Sequence, residues 1–393
     1  MANVASAWRG MRPVLLMVMI AALSGPTVLA QPSPLKVGMF TPFGLGPTFG
    51  PDSVGQINGA YMAALDRGYK VELVTSPNGC DTGGIAAEIE KMIMEDKVSA
   101  IIGPVCSGTT LAAAETVNRL KIPTISALSG AIAVSQAGPY VYRTYVTPSG
   151  ILGALMTEVA SKYGTIATIT DDSLQGMDWS KLGSELYTKA GGKVLAAVDF
   201  VTAEQTPDTI GAVVKRAMDS MPDAIAIFAT DSLEPDMEAA LIKAVRAANP
   251  AFPLVMASGV DAQTVEMLGM TDPATNTTSY EMVGGIMKAA DKAYGKWDAR
   301  FNSMFGLSFL LDSANNGQQA YAYDAMSAII RAAQKSGHRK LKGSDLNKVL
   351  SSKSFEFERY GGGLTKFDAN GDEIRGVSIQ EIDPATGMWM EMN

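Results

Sequence analysis

The chain has 393 residues, 47% of them hydrophobic, and carries a formal net charge of −8 at neutral pH. That length is comfortable for two domains, each with a hydrophobic core of its own. The acidic balance argues against a basic nucleic-acid groove or a patch for anionic membranes, and it leaves the nature of a small ligand open.

The first thirty residues have the layout of a secretory signal peptide. Arg9 and Arg12 precede the apolar run "PVLLMVMIAALSG", and small residues lead to a cleavage site after Ala30. The apolar run is shorter than the ~20 residues that a membrane-spanning helix needs. We therefore expect an exported protein whose mature chain begins at Gln31, in preference to a chain whose N-terminus is a buried helix.

Strand-like apolar runs alternate with helix-period segments from residue 35 onward. The predicted strands of the first half are 35–43, 70–76, 98–105 and 122–128, and the predicted helices are 54–68, 83–96 and 108–120. Near-continuous apolar strands separated by helices of this length are typical of a parallel sheet that is covered on both faces.

The same alternation begins again at residue 140 and continues to 259. The predicted helices of this half are 151–164, 179–190, 206–220 and 235–250, and the strands are 165–171, 193–201, 223–230 and 253–259. The tail departs from this alternation: after 280–288 come a long predicted helix at 316–337, a short segment at 343–352 and a final strand-and-turn region.

The repeated layout predicts an α/β protein with two doubly wound parallel-sheet lobes and a ligand cleft between them.

The chain has two cysteines, Cys80 and Cys106. An even pair in an exported protein indicates a disulfide, which here would close a loop of 26 residues. A metal site built on two thiolates would normally need histidine partners, and the single histidine, His338, lies in a basic loop. We therefore expect no metal and no cofactor.

Polar side chains follow several of the predicted strands, and ligands of open α/β sheets bind outside the carboxyl ends of strands. Asp172 and Gln175 follow the strand at 165–171, where they either face the cleft or cap the next helix. The remaining candidates at such positions are Phe49, Ser129, Gly130, Asp231, Ser258 and Asp261.

Across the whole mature chain the sequence resembles the type I periplasmic solute-binding proteins, in particular the leucine/isoleucine/valine-binding group that serves ABC importers. The most specific stretch is "GCDTGGIAAEIEKMIMEDKVSAIIGPVCSGTTLAAAETVNRLKIPTISAL" at 79–128, and "GGGLTKFDANGD" near the C-terminus matches a second family pattern. The resemblance implies a periplasmic protein with a Cys80–Cys106 disulfide, which binds a small molecule and delivers it to a permease of the inner membrane. With it we expect three crossovers between the lobes, near 148, 280 and 376. Lobe 1 then comprises 31–148 and 281–375, and lobe 2 comprises 149–280 and 376–393.

The resemblance also implies roles for individual residues. Ser107 matches the serine that holds the ligand carboxylate at a helix N-terminus, where free N–H groups and the helix dipole favour an anion. Gly130 falls where the family usually has a threonine that contacts the ligand, with Ser129 one residue before it. Gln175 falls at an aromatic position that lines the cleft, and Phe49 at an aromatic position of the first loop.

One departure from the family bears on the ligand. The glutamate that pairs with the ligand ammonium aligns near Ser258, and an unpaired buried ammonium is costly. Either Asp172, Asp231 or Asp261 replaces that glutamate, or the ligand is not an α-amino acid.

The sequence therefore predicts a binding protein that is not an enzyme. We expect a monomer that captures an amino acid, a related small carboxylate or an amide for an ABC importer, with no nucleic-acid partner. A periplasmic sensor for a signalling partner is the alternative. An exported hydrolase is disfavoured, because Cys106 and Ser107 have no histidine nearby to act as a base.

Overall fold

The computed structural model describes residues 34–45, 50–229, 235–257, 264, 267–268, 277–281, 292–306, 318–337, 341–374, 378–382 and 389–391. The predicted signal peptide lies outside these ranges. Over the residues that are described, no helix is both long enough and apolar enough to cross a membrane.

Five parallel strands form the first sheet. They are β1 (Leu35–Phe40), β2 (Val71–Ser76), β3 (Ala100–Ile102), β4 (Thr124–Ser126) and β5 (Val141–Arg143), in the spatial order β2–β1–β3–β4–β5. The connecting helices are α1 (Gly50–Asp66), α2 (Ile85–Met94) and α3 (Ser107–Leu120). From β1 the chain winds to β2 on one side and then to β3 on the other, so the strand order reverses between β1 and β3. Ligands of such sheets bind at this reversal.

The later strands form a second sheet and a small hairpin. They are β6 (Thr165–Thr170), β7 (Lys193–Asp199), β8 (Ala224–Phe228), β9 (Leu254–Met256), β10 (Thr277–Glu281), β11 (Phe357–Glu358), β12 (Leu364–Thr365), β13 (Ser378–Ile382) and β14 (Trp389–Glu391). Strands β11 and β12 pair only with each other, and the second sheet has the order β14–β13–β10–β9–β8–β6–β7. Its strand order reverses between β6 and β8, which gives a second candidate ligand position.

The later helices cover both sheets. They are α4 (Pro148–Lys162), α5 (Leu174–Lys189), α6 (Gly211–Met218), α7 (Pro235–Ala248), α8 (Lys292–Phe305), α9 (Gln318–Ser336) and α10 (Gly343–Leu350). Helix α9 packs against α1 and α10, so the chain returns to the first sheet after β10. The approach of α9 to α1 is close, because a Cβ atom on Gly59 would lie 2.0 Å from the Gln319 carbonyl oxygen. The lobe boundaries themselves stay predictions.

Both faces of the central strands are buried, which explains their near-continuous apolar sequences. In β8, Ala224, Ala226 and Phe228 belong to one hydrophobic cluster, whereas Ile225 and Ile227 belong to another on the opposite face. The alternation follows from the period of two of a β-strand. Each sheet is thus the middle layer of a three-layer arrangement.

The predicted fold class, two doubly wound parallel-sheet lobes, is confirmed, with one addition. Strands β13 and β14 are antiparallel, β13 to β10 and β14 to β13, so the second sheet is mixed at one edge. The prediction also started α5 too late. The helix begins at Leu174, because the Ser173 hydroxyl accepts a hydrogen bond from the Gly176 N–H and caps it. This places Gln175 and Asp178 in the first turns of α5.

Candidate functional site

Helix α3 begins at the strand reversal of the first sheet, and its N-terminus is not capped by a side chain. Cys106 is the N-cap residue, and its sulfur is bonded to Cys80 with a Cα–Cα distance of 4.9 Å. A disulfide sulfur does not replace the oxygen that usually caps a helix. The first-turn N–H groups of α3 therefore form a positive end, and the first turn itself contains no acidic residue. The predicted Cys80–Cys106 disulfide is confirmed.

Ser107 joins this helix start to the loop that follows β4, the Gly130 loop (residues 127–132). Its side chain is 7% exposed, and its Oγ accepts a hydrogen bond from the Ala131 N–H at 3.0 Å. The Ser107 hydroxyl proton remains to be donated to another acceptor. The residue thus lies at the junction of the two segments.

Hydrogen bonds from Arg143, whose guanidinium is fully buried, hold the loop after β4. Its Nη1 donates to the carbonyl oxygens of Ser129 and Ala131 at 3.0 and 2.9 Å. Its Nε and Nη2 both contact Oδ1 of Asp372, at 2.8 and 2.7 Å, and Nη2 also donates to the Ser135 hydroxyl. The guanidinium is therefore fully hydrogen-bonded, and it fixes the direction of the loop carbonyls.

Helix α5, which follows β6 of the second sheet, contacts the same loop. The Gly130 N–H donates to Gln175 Oε1 at 3.2 Å, and the Ile132 N–H donates to Asp178 Oδ2 at 3.0 Å. Trp179 Nε1 donates to the Gly130 carbonyl oxygen at 2.8 Å. Because α5 follows β6 at the reversal of the second sheet, these hydrogen bonds join the candidate ligand positions of both sheets.

The structure brings Ser107, Gly130 and Gln175 together around this loop. Ser129 is adjacent in sequence, but its hydroxyl points into the protein. The Ser129 Oγ donates to the Val105 carbonyl oxygen at 3.0 Å and lies 2.7 Å from the hydroxyls of Thr110 and Ser126. Those contacts hold the loop in place, so we assign the Ser129 hydroxyl a structural role in the loop.

Asp172 does not cap the next helix, which was one of the two roles left open for it, because Ser173 is the N-cap residue of α5. The exposed Asp172 carboxylate accepts a hydrogen bond from the Thr202 N–H at 3.0 Å. This backbone hydrogen bond lowers the pKa of the Asp172 carboxyl. The structure does not bring Asp172 to the Gly130 loop. The predicted site residues Phe49, Asp231 and Ser258 lie outside the described residues, as does Asp261.

Sequence reasoning missed three residues of this site: Arg143, Asp372 and Trp179. Arg143 and Asp372 are 229 positions apart, and no local pattern marks either as buried. The one available signal was the position of Arg143 at the end of a strand, because an arginine in an apolar strand needs a partner when it is buried. Trp179 was predicted only as the start of a helix. Its hydrogen bond to Gly130 depends on where α5 packs against the first sheet.

The arrangement offers mainly hydrogen-bond donors: the α3 N-terminus, the Ser107 hydroxyl and the amide of Gln175. Over the part of the chain that is described, no group of three or more histidine, cysteine or acidic side chains is placed to hold a metal. Donors around an uncapped helix N-terminus suit an anion such as a carboxylate.

Comparison with known proteins agrees with this architecture. A family model described as "Periplasmic binding protein" matches residues 34–387. No curated protein sequence matches the chain.

Solved structures share the fold at low sequence identity. A leucine-binding protein from Thermotoga maritima has a TM-score of 0.73 at 22% identity, covering 91% of this chain and 98% of its own. A solute-binding protein of an ABC transporter from R. palustris, in complex with benzoate, has a TM-score of 0.76 at 17% identity, with coverages of 92% and 96%.

A branched-chain amino acid binding protein from Streptococcus pneumoniae, in complex with isoleucine, has a TM-score of 0.72 at 19% identity, with coverages of 92% and 100%. The family model spans nearly the whole described chain, and the two-sheet fold agrees with it. The chain belongs to the periplasmic binding protein family, as its resemblance to the type I solute-binding proteins implied.

Proposed function

We propose that this protein is the periplasmic solute-binding receptor of an ABC importer and that it captures a small carboxylate between its two sheets. The observation that carries the proposal is the uncapped start of α3, with the Ser107 hydroxyl beside it, at the strand reversal of the first sheet. Leucine, isoleucine and benzoate, the ligands named for the similar structures, have a carboxylate in common.

The proposed mechanism is capture by closure and needs no catalytic step. The carboxylate binds at the α3 N-terminus, and α5 then covers it from the second sheet. The hydrogen bonds of Gln175, Asp178 and Trp179 to the Gly130 loop would form in that closed state. Closure excludes water from the ligand and creates a surface that spans both lobes, to which a permease can bind.

The family and the predicted leader sequence support a periplasmic location. Residues 1–30 would direct export and be removed after Ala30, which leaves the mature chain in the periplasm. The partner in the inner membrane would be an ABC permease. A thermal-shift screen of the mature protein tests the proposal directly, with benzoate, 4-hydroxybenzoate, leucine, isoleucine and acetamide as probes. If no carboxylate raises the melting temperature, the proposed function is wrong.

Ser107→Ala is expected to weaken binding of the best carboxylate of that screen by about 1–3 kcal/mol, or roughly 5- to 150-fold, because a buried hydroxyl donor is lost. Isothermal titration calorimetry at constant pH and salt measures the change. Ser161→Ala is the matched control, since the Ser161 hydroxyl donates to the Glu158 carbonyl oxygen on an exposed helix face. Equal affinities for Ser107→Ala and the unmodified protein would remove Ser107 from the site.

A further inference from the structure

The side chain of Gln175 lies directly against the Cα atom of Gly130. A Cβ atom added at Gly130 would be 2.4 Å from both Cδ and Oε1 of Gln175 and 2.7 Å from its Nε2. The carboxamide therefore occupies the space that any side chain at position 130 would need. Only a residue without a Cβ atom at position 130 leaves room for the observed Gln175 side chain, so the residue types at the two positions depend on each other.

The hydrogen bond to Gly130 determines which way the carboxamide is turned. A backbone N–H only donates, so the atom that faces the Gly130 nitrogen at 3.2 Å must be the oxygen of Gln175. The Nε2 group, with two hydrogens and no capacity to accept, is left for other contacts. Gln175 therefore brings a donor to the loop and uses its acceptor on the protein itself.

The next residue of the loop repeats this pattern. The Ala131 N–H donates to Ser107 Oγ, which directs the Ser107 hydroxyl proton elsewhere as a donor. One oxygen of each of two nearby carboxylates is already engaged: Asp178 Oδ2 takes the Ile132 N–H, and Asp171 Oδ1 takes the Ser173 hydroxyl at 2.7 Å. A ligand group at this loop meets donors first.

We infer that Gln175 is a specificity-determining residue, which makes the site favour carboxylic acids without an α-ammonium group over the corresponding α-amino acids. A carboxylate accepts hydrogen bonds from the Gln175 Nε2, the Ser107 hydroxyl and the α3 N-terminus together. An α-ammonium beside that carboxylate would face the same donors. The nearest acceptors among the described residues, Gln175 Oε1, Ser107 Oγ and Asp178 Oδ2, already take hydrogen bonds from the loop, so the ammonium would lose hydration for little return. The inference rests on the proposed function, because it assumes that a carboxylate binds at this loop.

Matched ligand pairs test the inference, since each pair differs only in the α-ammonium group. The probes are 4-methylpentanoate against leucine and 3-phenylpropanoate against phenylalanine, measured by calorimetry on the mature protein. We expect the acid of at least one pair to bind about tenfold or more tighter than its amino acid. An amino acid that binds as tightly as its acid, or more tightly, in each pair that binds overturns the inference.

Gln175→Glu adds the missing acceptor with almost no change in shape. The variant is expected to lower the acid-to-amino-acid affinity ratio by about tenfold or more, by weakening the acid and strengthening the amino acid. Gln205→Glu is the matched control, because Gln205 accepts from Thr209 on an exposed turn and should leave the ratio unchanged. A ratio that is equal in Gln175→Glu and Gln205→Glu overturns the inference.

Gly130→Ala leaves Gln175 itself unchanged, alters the residue that it contacts, and adds no charge. The new methyl group would displace the carboxamide, so the ratio is expected to fall while the α3 N-terminus still binds a carboxylate. An unchanged ratio counts against the role of Gln175. Failure of the proposed function gives a different result, because then neither the four probes nor any carboxylate of the thermal-shift screen binds to the unmodified protein.

Discussion

Asp372→Ala is expected to lower the free energy of unfolding by about 3–5 kcal/mol, because it leaves a buried guanidinium without its counter-charge. Arg143 is fully buried, and two of its five donor contacts go to Asp372 Oδ1. Alanine removes both contacts and the negative charge. Urea unfolding measures the loss. If the free energy of unfolding falls with urea concentration at the same slope in both proteins, the shift of the midpoint reports the change in stability.

Two variants define what the Asp372→Ala result means. Asp372→Asn keeps an oxygen acceptor and removes only the charge, so it should lose less stability than Asp372→Ala. Asp219→Ala breaks an exposed ion pair with Lys215 and is expected to cost no more than about 1 kcal/mol. If Asp372→Ala were as stable as Asp219→Ala, Arg143 would not depend on Asp372.

The same substitution connects stability to the site. Arg143 holds the carbonyl oxygens of Ser129 and Ala131, so its displacement would free the loop that contacts Ser107 and Gln175. Asp372 lies in the turn that precedes the return of the chain to β13. A buried ion pair thus ties the Gly130 loop to the segment that leads to the second sheet.

Removal of the disulfide by Cys80→Ala together with Cys106→Ala is the second large expected effect. The bond closes a loop with a sequence separation of 26, and the chain-entropy model gives a loss of roughly 3–4 kcal/mol. Urea unfolding of the double variant, beside the unmodified protein with and without reductant, measures it. The oxidised native protein should show no titratable thiol, and two reactive thiols would contradict the bond.

A serine at position 106 separates the two roles of this residue. In Cys80→Ala with Cys106→Ser, the new hydroxyl can cap α3 and recover about 1 kcal/mol of stability relative to the double alanine variant. The same hydroxyl would compete with the ligand for the N–H groups of α3. We therefore expect the serine form to be more stable than the alanine form and to bind the carboxylate more weakly.

Much of the fold could be predicted because local patterns are strong in this chain. The predicted helix at 316–337 is observed as Gln318–Ser336, and the strand at 223–230 is observed as Ala224–Phe228. Apolar runs bounded by turns report burial directly, whatever their partners are. Element ends were less reliable: α5 starts five residues before its prediction, because the capping role of Ser173 went unrecognised.

The contacts of the site were less accessible to sequence reasoning. Ser107, Gly130 and Gln175 were each named, but the hydrogen bonds that bring them to one loop join residues 24 and 45 positions apart. Ser129 and Asp172 were named with equal weight, and their side chains bind other partners. Sequence patterns locate strand ends, whereas the direction of a side chain there depends on packing across the sheet.

The sequence by itself determined the two-lobe α/β architecture and the disulfide, and it identified the junction at Cys106 and Ser107 as a candidate site. Periodicity, cysteine count and helix polarity are properties of short segments, so they can be read without a structure. Only the tertiary structure paired Arg143 with Asp372 and placed Gln175 against Gly130. Those pairings depend on strand order and on the position of α5 against the first sheet, and no local segment contains that information.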